Sequence, residues 1–423
     1  MKRVLILANH CLSESDSNGR TLLSLLSGYP ADKLAQFCLQ DGDPAFSHCE
    51  RYFCVSDNDA LNALLKGRRV GRRLLPGQPL PPAQAAADDK AKHRNALTML
   101  LREAVWRNGA WKRGGFNDFV AEFQPEVVLL QAGDCGFLFR LARRLCRQYG
   151  AALVLYNSEG YYFKQFDYFR AKGPAHWCYP LFRHSFCHQF RKTMRLAQHV
   201  VYSCDALREC YGQVFSCPGE TIYTASTLQS VAAEKTEPFS AAYLGNLGVG
   251  RRDGLLAIAD ALQQLDKRYL LHIYGRVPDA DTQRCLQAHC GIRLHGFVPY
   301  ETVCRVMRET PLLVHTENFS AYYREDLKFA FSTKIADCLA SGTCFLLYAP
   351  PELASTRYLR QTEAAYVATD VAMLQTQLAL LDSQPQARLR YTERAARLVR
   401  ENHCAATNAA RFRTVLNEAG KTR

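Results

Sequence analysis

Between Ala241 and Gly254 the chain reads Ala-Ala-Tyr-Leu-Gly-Asn-Leu-Gly-Val-Gly-Arg-Arg-Asp-Gly. An apolar run ends at Gly245, glycines recur at Gly248 and Gly250, and Arg251 and Arg252 stand where a helix would begin. Glycines let backbone N–H groups approach an anion, a helix N-terminus adds partial positive charge, and arginines supply paired donors. Together these features suit a diphosphate. An ordinary strand-to-helix turn would use the same glycines, but it has no need of two arginines. The spacing approaches a P-loop, yet Arg replaces the Lys and no Ser or Thr follows to hold magnesium, which argues against NTP hydrolysis.

A second segment runs Leu312-Leu-Val-His-Thr-Glu-Asn-Phe-Ser320, then a loop, then Phe331-Ser-Thr-Lys-Ile-Ala-Asp-Cys-Leu-Ala-Ser-Gly342. Ser332 or Thr333 caps a helix on which Lys334 and Asp337, at i and i+3, share one face while Ile335 and Leu339 point inward. A cap hydroxyl and Lys334 suit a phosphate, with Asp337 one turn on at a sugar hydroxyl. On this helix alone a surface ion pair explains the same two residues. Two weaker candidates lie upstream: Asn18-Gly19 after the first apolar run, and Asn157-Ser-Glu-Gly160 after a later one. Both are also ordinary turn sequences. The three Asp-x-Asp pairs, Asp41/Asp43, Asp57/Asp59 and Asp279/Asp281, read as loop chemistry, and no H-E-x-x-H occurs, so no metal site is expected.

These residues need elements to hold them. Apolar runs at Val4–Ala8, Phe37–Leu39, Tyr52–Val55, Glu126–Gln131, Ala152–Tyr156 and Val200–Ser203 alternate with helical patterns near Arg20–Leu26, Phe137–Gln148 and Asp205–Tyr211. After Cys217-Pro-Gly219 a second series follows, with strands at Ala241–Leu244, Leu270–Tyr274, Ile292–Leu294, Leu312–His315, Cys344–Leu347 and Tyr366–Ala368. Alternation of this kind predicts an α/β protein of two doubly wound parallel-sheet domains, with ligands beyond the carboxyl ends of the strands, in the cleft that two such domains create. The expected division is 1–218, 219–402, and a C-terminal helix over 403–423 that packs back on the first domain.

The length of 423 residues, 48% hydrophobic and 22% charged, fits two folded domains. Seventeen cysteines without a C-x-x-C pair read as reduced, mostly buried thiols of a cytoplasmic protein. The short apolar N-terminus is a strand rather than a signal core, and no run approaches a membrane span. The net charge of +13 is uneven. Lys66–Arg113, within a basic insertion at 66–115, has twelve Lys/Arg against three acidic residues, and Tyr161–Gln198 has seven against one, interleaved with aromatics. Such stretches suit anionic headgroups or stacked bases, or are solvated faces packed on a core.

As an ordered set, the Gly245–Arg252 turn, Ile273-Tyr-Gly-Arg276, His295-Gly-Phe-Val-Pro299, Glu317 and Asp337-x4-Gly342 resemble the C-terminal half of retaining GT-B glycosyltransferases of the glycogen-synthase-like superfamily. The resemblance implies two Rossmann-like domains facing a cleft, and sugar transfer from a nucleotide diphosphate sugar to a glycan or lipid-linked acceptor. No cofactor or metal is implied. Gly245, Asn246 and Arg252 would hold the donor diphosphate with Ser332 and Thr333. Gly275 would lie at a strand end, Phe297 and Val298 at the nucleobase, Asp337 at the ribose, and Asn18 and Gly19 near the phosphates and acceptor. Arg251 and Lys334 would stabilise the leaving diphosphate, and Glu317 would contact the transferred sugar. The pattern departs from the family in three places. Twenty residues rather than eight separate Glu317 from Asp337, the second Glu is an Asp, and Asn246 replaces a frequent Arg. The location expected is cytoplasmic or peripheral on the inner face of an anionic membrane, with no nucleic-acid partner. Two rivals remain at this stage: a GT-B-type nucleotide-sugar epimerase, and a non-catalytic protein that binds nucleic acid or membrane.

Overall fold

The computed structural model describes residues 1–14, 17–40, 42–76, 94–228 and 239–420. The described residues form two units, Met1–Tyr223 with Ala406–Arg423, and Thr224–Ala405.

The first unit is built on an eight-stranded sheet: β1 (Val4–His10), β2 (Leu34–Gln40), β3 (Arg51–Cys54), β4 (Arg72–Leu74), β5 (Val127–Ala132), β6 (Ala152–Asn157), β7 (His199–Tyr202) and β8 (Gly219–Thr221). Their order is β4-β3-β2-β1-β5-β6-β7-β8, parallel throughout except for the β3–β4 pair. The central strands are nearly continuous Val, Ile and Leu because both sheet faces are covered. Val4, Leu5, Ile6 and Leu7 have no exposed surface and pair in register with Val127, Val128, Leu129 and Leu130. The helix Ala405–Glu418 lays Phe412, Val415 and Leu416 against Val4, Leu129 and Tyr156, so the end of the chain completes this core.

Two strands escaped the sequence reading. β4 is an edge strand of two arginines and a leucine, and β8 begins on the glycine after Pro218, where the composition resembles a linker. Since β8 pairs with β7, the units divide at Tyr223/Thr224 rather than at 218/219, and the returning segment starts at Ala406 rather than 403.

The second unit carries a wholly parallel six-stranded sheet of β9 (Ala241–Leu244), β10 (Leu271–Tyr274), β11 (Ile292–Gly296), β12 (Leu312–Thr316), β13 (Cys344–Tyr348) and β14 (Tyr366–Ala368). Its order is β11-β10-β9-β12-β13-β14, so the winding reverses between β9 and β12. Helices Arg252–Leu265, Ala280–Ala288, Tyr300–Glu309, Thr333–Ala340 and Val371–Ser383 lie within a few residues of the helical patterns near Gly254–Leu265, Asp281–His289, Thr302–Arg308, Ser332–Ser341 and Val371–Leu381 in the sequence, whereas Ala354–Thr362 and the short Ala321–Asp326, inside the expected loop after Ser320, were not anticipated. No cysteine forms a disulfide, and no described helix is long and apolar enough to cross a membrane.

Part of the aromatic content of the second basic stretch belongs to the core, while Tyr161, Tyr162, Phe163, Phe166, Tyr168 and Phe169 are half-buried. Phe182, Phe186 and Phe190 are buried along the helix Tyr179–Met194, and Phe139 meets the last two at ring separations of 5.8 and 5.4 Å. Its exposed side keeps His184, His188, Arg191 and Lys192. His184 and His188 form an H-x-x-x-H spacing where the sequence reading found none among the twelve histidines; among the described residues no group of three His, Cys, Asp or Glu is placed to hold an ion.

Candidate active site

In the second unit the reversal of winding between β9 and β12 leaves a crevice at their carboxyl ends, the usual ligand position in open α/β sheets. β9 runs into Gly245 and β12 into Glu317, and one side chain joins them. Arg251 donates Nη2 to Glu317 Oε1 at 2.8 Å and Nε to Oε2 at 3.1 Å. Its remaining donors reach backbone on both sides, Nε to Thr316 O at 3.2 Å and Nη1 to Asn246 O at 3.0 Å. The pair is buried, with side-chain exposures of 14% and 8%. Burial alone would raise the Glu317 carboxyl, but the adjacent Arg251 charge and the hydrogen bond from His315 outweigh it and hold the group at about 2.

His315 is the functional neighbour that sequence reasoning missed. Its Nε2 lies 3.0 Å from Glu317 Oε1, and burial lowers its pKa, keeping the ring neutral. An ionised carboxylate only accepts, so the proton sits on Nε2, and Nδ1 is left buried without a partner. A signal was available: residues i and i+2 of a strand share a face, so a His and a Glu two apart at the end of an apolar run point the same way.

The glycines are there because backbone and side chains crowd them. A Cβ on Gly275 would stand 1.8 Å from Gly245 O, and one on Gly254 2.1 Å from Thr316 Oγ1. Gly250, at φ +73°, faces the Tyr323 ring, and its carbonyl accepts from Asn318 Nδ2 at 2.6 Å. Val249 beside it has φ +56°, a left-handed backbone that is costly for a β-branched residue and concentrates strain in the turn.

Lys334 reaches this turn from the other side. Ser332 caps the helix Thr333–Ala340, accepting from Lys334 N at 3.4 Å, and Lys334 Nζ lies 3.1 Å from Thr333 Oγ1. Its side-chain carbons come within 3.5 Å of the Cβ position of Gly245. One turn on, Asp337 Oδ1 accepts from Ser226 Oγ at 2.7 Å. Phe297, 72% exposed, carries Arg276 over its ring at 4.9 Å, and Val298 beside it is half-buried. Gly275 N donates to Gly296 O at 2.8 Å, tying the two strand ends together. Asn246 is exposed and uses its Oδ1 on Gly248 N at 2.9 Å.

The structure gathers Gly245, Asn246, Arg251, Thr333 and Lys334 with Glu317, and gives Arg252, Glu317, Asn18 and Gly19 settings other than those expected. Arg252 points away from the turn, pairing with Asp253 at 3.0 Å and Asp281 at 2.9 Å, so the two arginines do not form one clamp. Glu317 is an internal ion-pair partner rather than an open carboxylate. Asn18 and Gly19 lie in the first turn of the helix Ser17–Leu25, not in a loop. In the first unit Asn157 ends β6 with its side chain buried. The Asp-x-Asp residues are structural: Asp59 completes a capping box with Ser56, Asp57 accepts from Arg102 and Trp106, and Asp279 caps the helix Ala280–Ala288. Asp41 lies outside the described residues.

Residues 251–414 match the model of a family described as glycosyl transferase-like. Among solved structures, the chain is similar to HepE from Anabaena in complex with UDP and glucose. The TM-score is 0.61 at 11% identity, over 99% of this chain and 100% of that one. It is similar to sucrose-phosphate synthase from Thermosynechococcus elongatus, with a TM-score of 0.60 at 12% identity over 100% of both chains. It also resembles WaaG, a glycosyltransferase of lipopolysaccharide biosynthesis, at 0.55 and 11% over 97% and 99%. The fold is that of GT-B glycosyltransferases. No curated protein matches the chain by sequence.

Proposed function

We propose that the protein transfers a sugar, with retention and without a metal, from a nucleoside diphosphate sugar to a hydroxyl of a glycan or lipid-linked acceptor in polysaccharide assembly. The observation that carries this reading is the approach of Lys334 to the Gly245 turn at the winding reversal of a glycosyltransferase domain. A diphosphate placed there meets backbone N–H groups, the capped N-terminus of the Thr333–Ala340 helix, and the Lys334 ammonium beside Thr333 Oγ1. As the glycosidic bond breaks, negative charge grows on the diphosphate, and the Lys334 ammonium stabilises it in place.

Arg251 acts differently. Fixed by Glu317 and His315, it holds the turn through Asn246 O and presents a positive field without leaving its partner. The exposed Phe297 ring offers a face for the base, and Asp337 an acceptor for the ribose hydroxyls. Retention follows if the leaving phosphate itself takes the acceptor proton on the same face of the sugar. The HepE complex with UDP and glucose, on the same fold, supports a nucleotide-sugar donor.

The first unit carries the acceptor side of the proposal. Trp177, 76% exposed, and Leu181, 61% exposed, precede the basic side of the helix Tyr179–Met194, a combination that suits an anionic inner-membrane surface. A calorimetric screen of UDP-, GDP-, ADP- and CMP-sugars tests the donor reading. Binding of one class that Lys334→Ala weakens at least tenfold supports it, and absence of binding to all four overturns it.

A further inference from the structure

The basic run at Lys66–Arg73 is not absorbed by the donor site, which lies wholly in the second unit. It forms a rigid, cationic hollow in the first. A cavity of about 290 Å³ is lined by Asp59, Asn62, Arg68, Arg69, Gly71 and Arg72, near the lower end of the roughly 300–1,000 Å³ common for small-molecule sites.

The loop is held in shape. Gly67 and Gly71 adopt φ of +62° and +93°, and a Cβ on Gly71 would meet the Phe53 ring at 2.6 Å. Val70 lies so close to Gly114 that a Cβ there would fall 1.8 Å from Val70 O. Arg73 is engaged, pairing with Glu122 at 2.6 Å and lying over Phe119. Arg68 and Arg69, by contrast, make no hydrogen bond or ion pair among the described residues.

Arg68 and Arg69, together with Arg72, which has a partner of its own, thus line one hollow with a single carboxylate, Asp59, which already accepts from Ser56 N and Oγ at 2.9 and 2.8 Å. Like charges held together on a stiff loop gain most from a compact ligand of two negative charges and several acceptor oxygens, which guanidinium forks match. The adjoining helix Asp57–Lys66 exposes Leu61, Leu64 and Leu65 at 41%, 37% and 70%, spaced i, i+3 and i+4 on one face. Of these, Leu65 stands one turn from Asn62 of the lining, and an apolar side chain next to an anion hollow fits an amphiphile whose headgroup is a phosphate.

We propose that the Arg68–Arg69–Arg72 hollow binds the phosphomonoester headgroup of a lipid, with Leu61 and Leu65 against its apolar part. The proposal rests on the reading that this unit meets an anionic lipid surface, and names the headgroup taken there.

The test is flotation of the full chain with vesicles of phosphatidylcholine alone, with added phosphatidic acid, and with phosphatidylglycerol at equal charge. Soluble glycerol 3-phosphate and a single-stranded RNA serve as competitors. The expected result is preference for phosphatidic acid over phosphatidylglycerol, reduced at least tenfold in Arg68→Ala with Arg69→Ala and also weakened in Leu65→Ser. Nucleotide-sugar affinity should be unchanged in each variant, which also shows that they fold. Equal binding to both anionic lipids overturns the headgroup site while leaving the surface reading intact, and binding to neither overturns both. Competition by glycerol 3-phosphate with no effect of Leu65→Ser assigns the hollow to free phosphate and overturns the lipid source. Tighter binding of RNA than of any vesicle overturns the proposal in favour of nucleic acid.

Discussion

The two sheets reverse their winding in the same way, β1 against β5 in the first unit and β9 against β12 in the second, yet they finish those ends differently. In the second unit the strand end opens into glycines, and the buried Arg251–Glu317 pair lies beneath a turn of exposed backbone. In the first unit the loop after β5 carries Asp134, 3% exposed, which accepts from Tyr168 OH at 3.0 Å and pairs with Arg94. There side chains fill the strand end. Where glycine removes side chains, backbone donors remain free for a ligand. Where Tyr and Arg occupy the same topological position, their donors are used within the protein.

The sharpest test of that contrast is stability. Arg251→Ala leaves the buried Glu317 charge with only its hydrogen bond from His315, and should cost about 3–5 kcal/mol in chemical denaturation. Asp134→Ala should cost about 1–3 kcal/mol, because the Arg94 side chain is 47% exposed and rehydrates. Equal losses would erase the distinction between the two strand ends.

Acid should act on the second unit in two windows. Burial lowers His403 from 6.5 to about 4, although its bond to Thr224 O opposes the shift. The folded state therefore favours the neutral ring, and up to about 3 kcal/mol of stability present above pH 6.5 is lost as pH falls towards 4. Glu317, depressed from 4.5 to about 2, adds a second loss as pH falls from 4.5 towards 2. Denaturation midpoints measured from pH 7 to pH 3 should show the first loss removed in His403→Gln and the second delayed to below pH 4.5.

Lys334→Ala should weaken nucleotide-sugar binding about 10- to 100-fold, or roughly 1.4–2.7 kcal/mol, with little change in melting temperature. Calorimetry beside a thermal melt separates this from a folding defect. Arg252→Ala should change affinity less than about twofold, since its exposed ion pairs with Asp253 and Asp281 contribute little. A tenfold loss for Arg252→Ala would restore the two-arginine clamp that the sequence suggested.

Much of the scaffold was readable from patterning. Short continuous apolar runs bounded by turn residues and alternating with helical patterns read as strands buried on both faces, so β9 and β14, of four and three residues, were placed to the residue. β4 was hidden because an edge strand can carry arginines, and β8 because Pro-Gly reads as a joint. At the site, the glycines and Lys334 were visible, since residue type and local spacing suffice to mark an anion turn. Arg252 was misassigned because two adjacent helix residues point about 100° apart, which an amino-acid string does not show.

The sequence by itself determined the strand–helix alternation, the glycine-rich turn at Gly245 with its following arginines and the uneven placement of positive charge, because each depends on residues near one another in the chain. The tertiary structure decided which arginine is buried against Glu317, sixty-six positions away, and that His315 supports it. It also decided that Arg68 and Arg69 line a hollow while Arg73 is paired, and that Phe182, Phe186 and Phe190 of the second basic stretch are buried while Trp177 is exposed. An ion pair is settled by distance and burial, and both are set only when separate strands come to lie side by side.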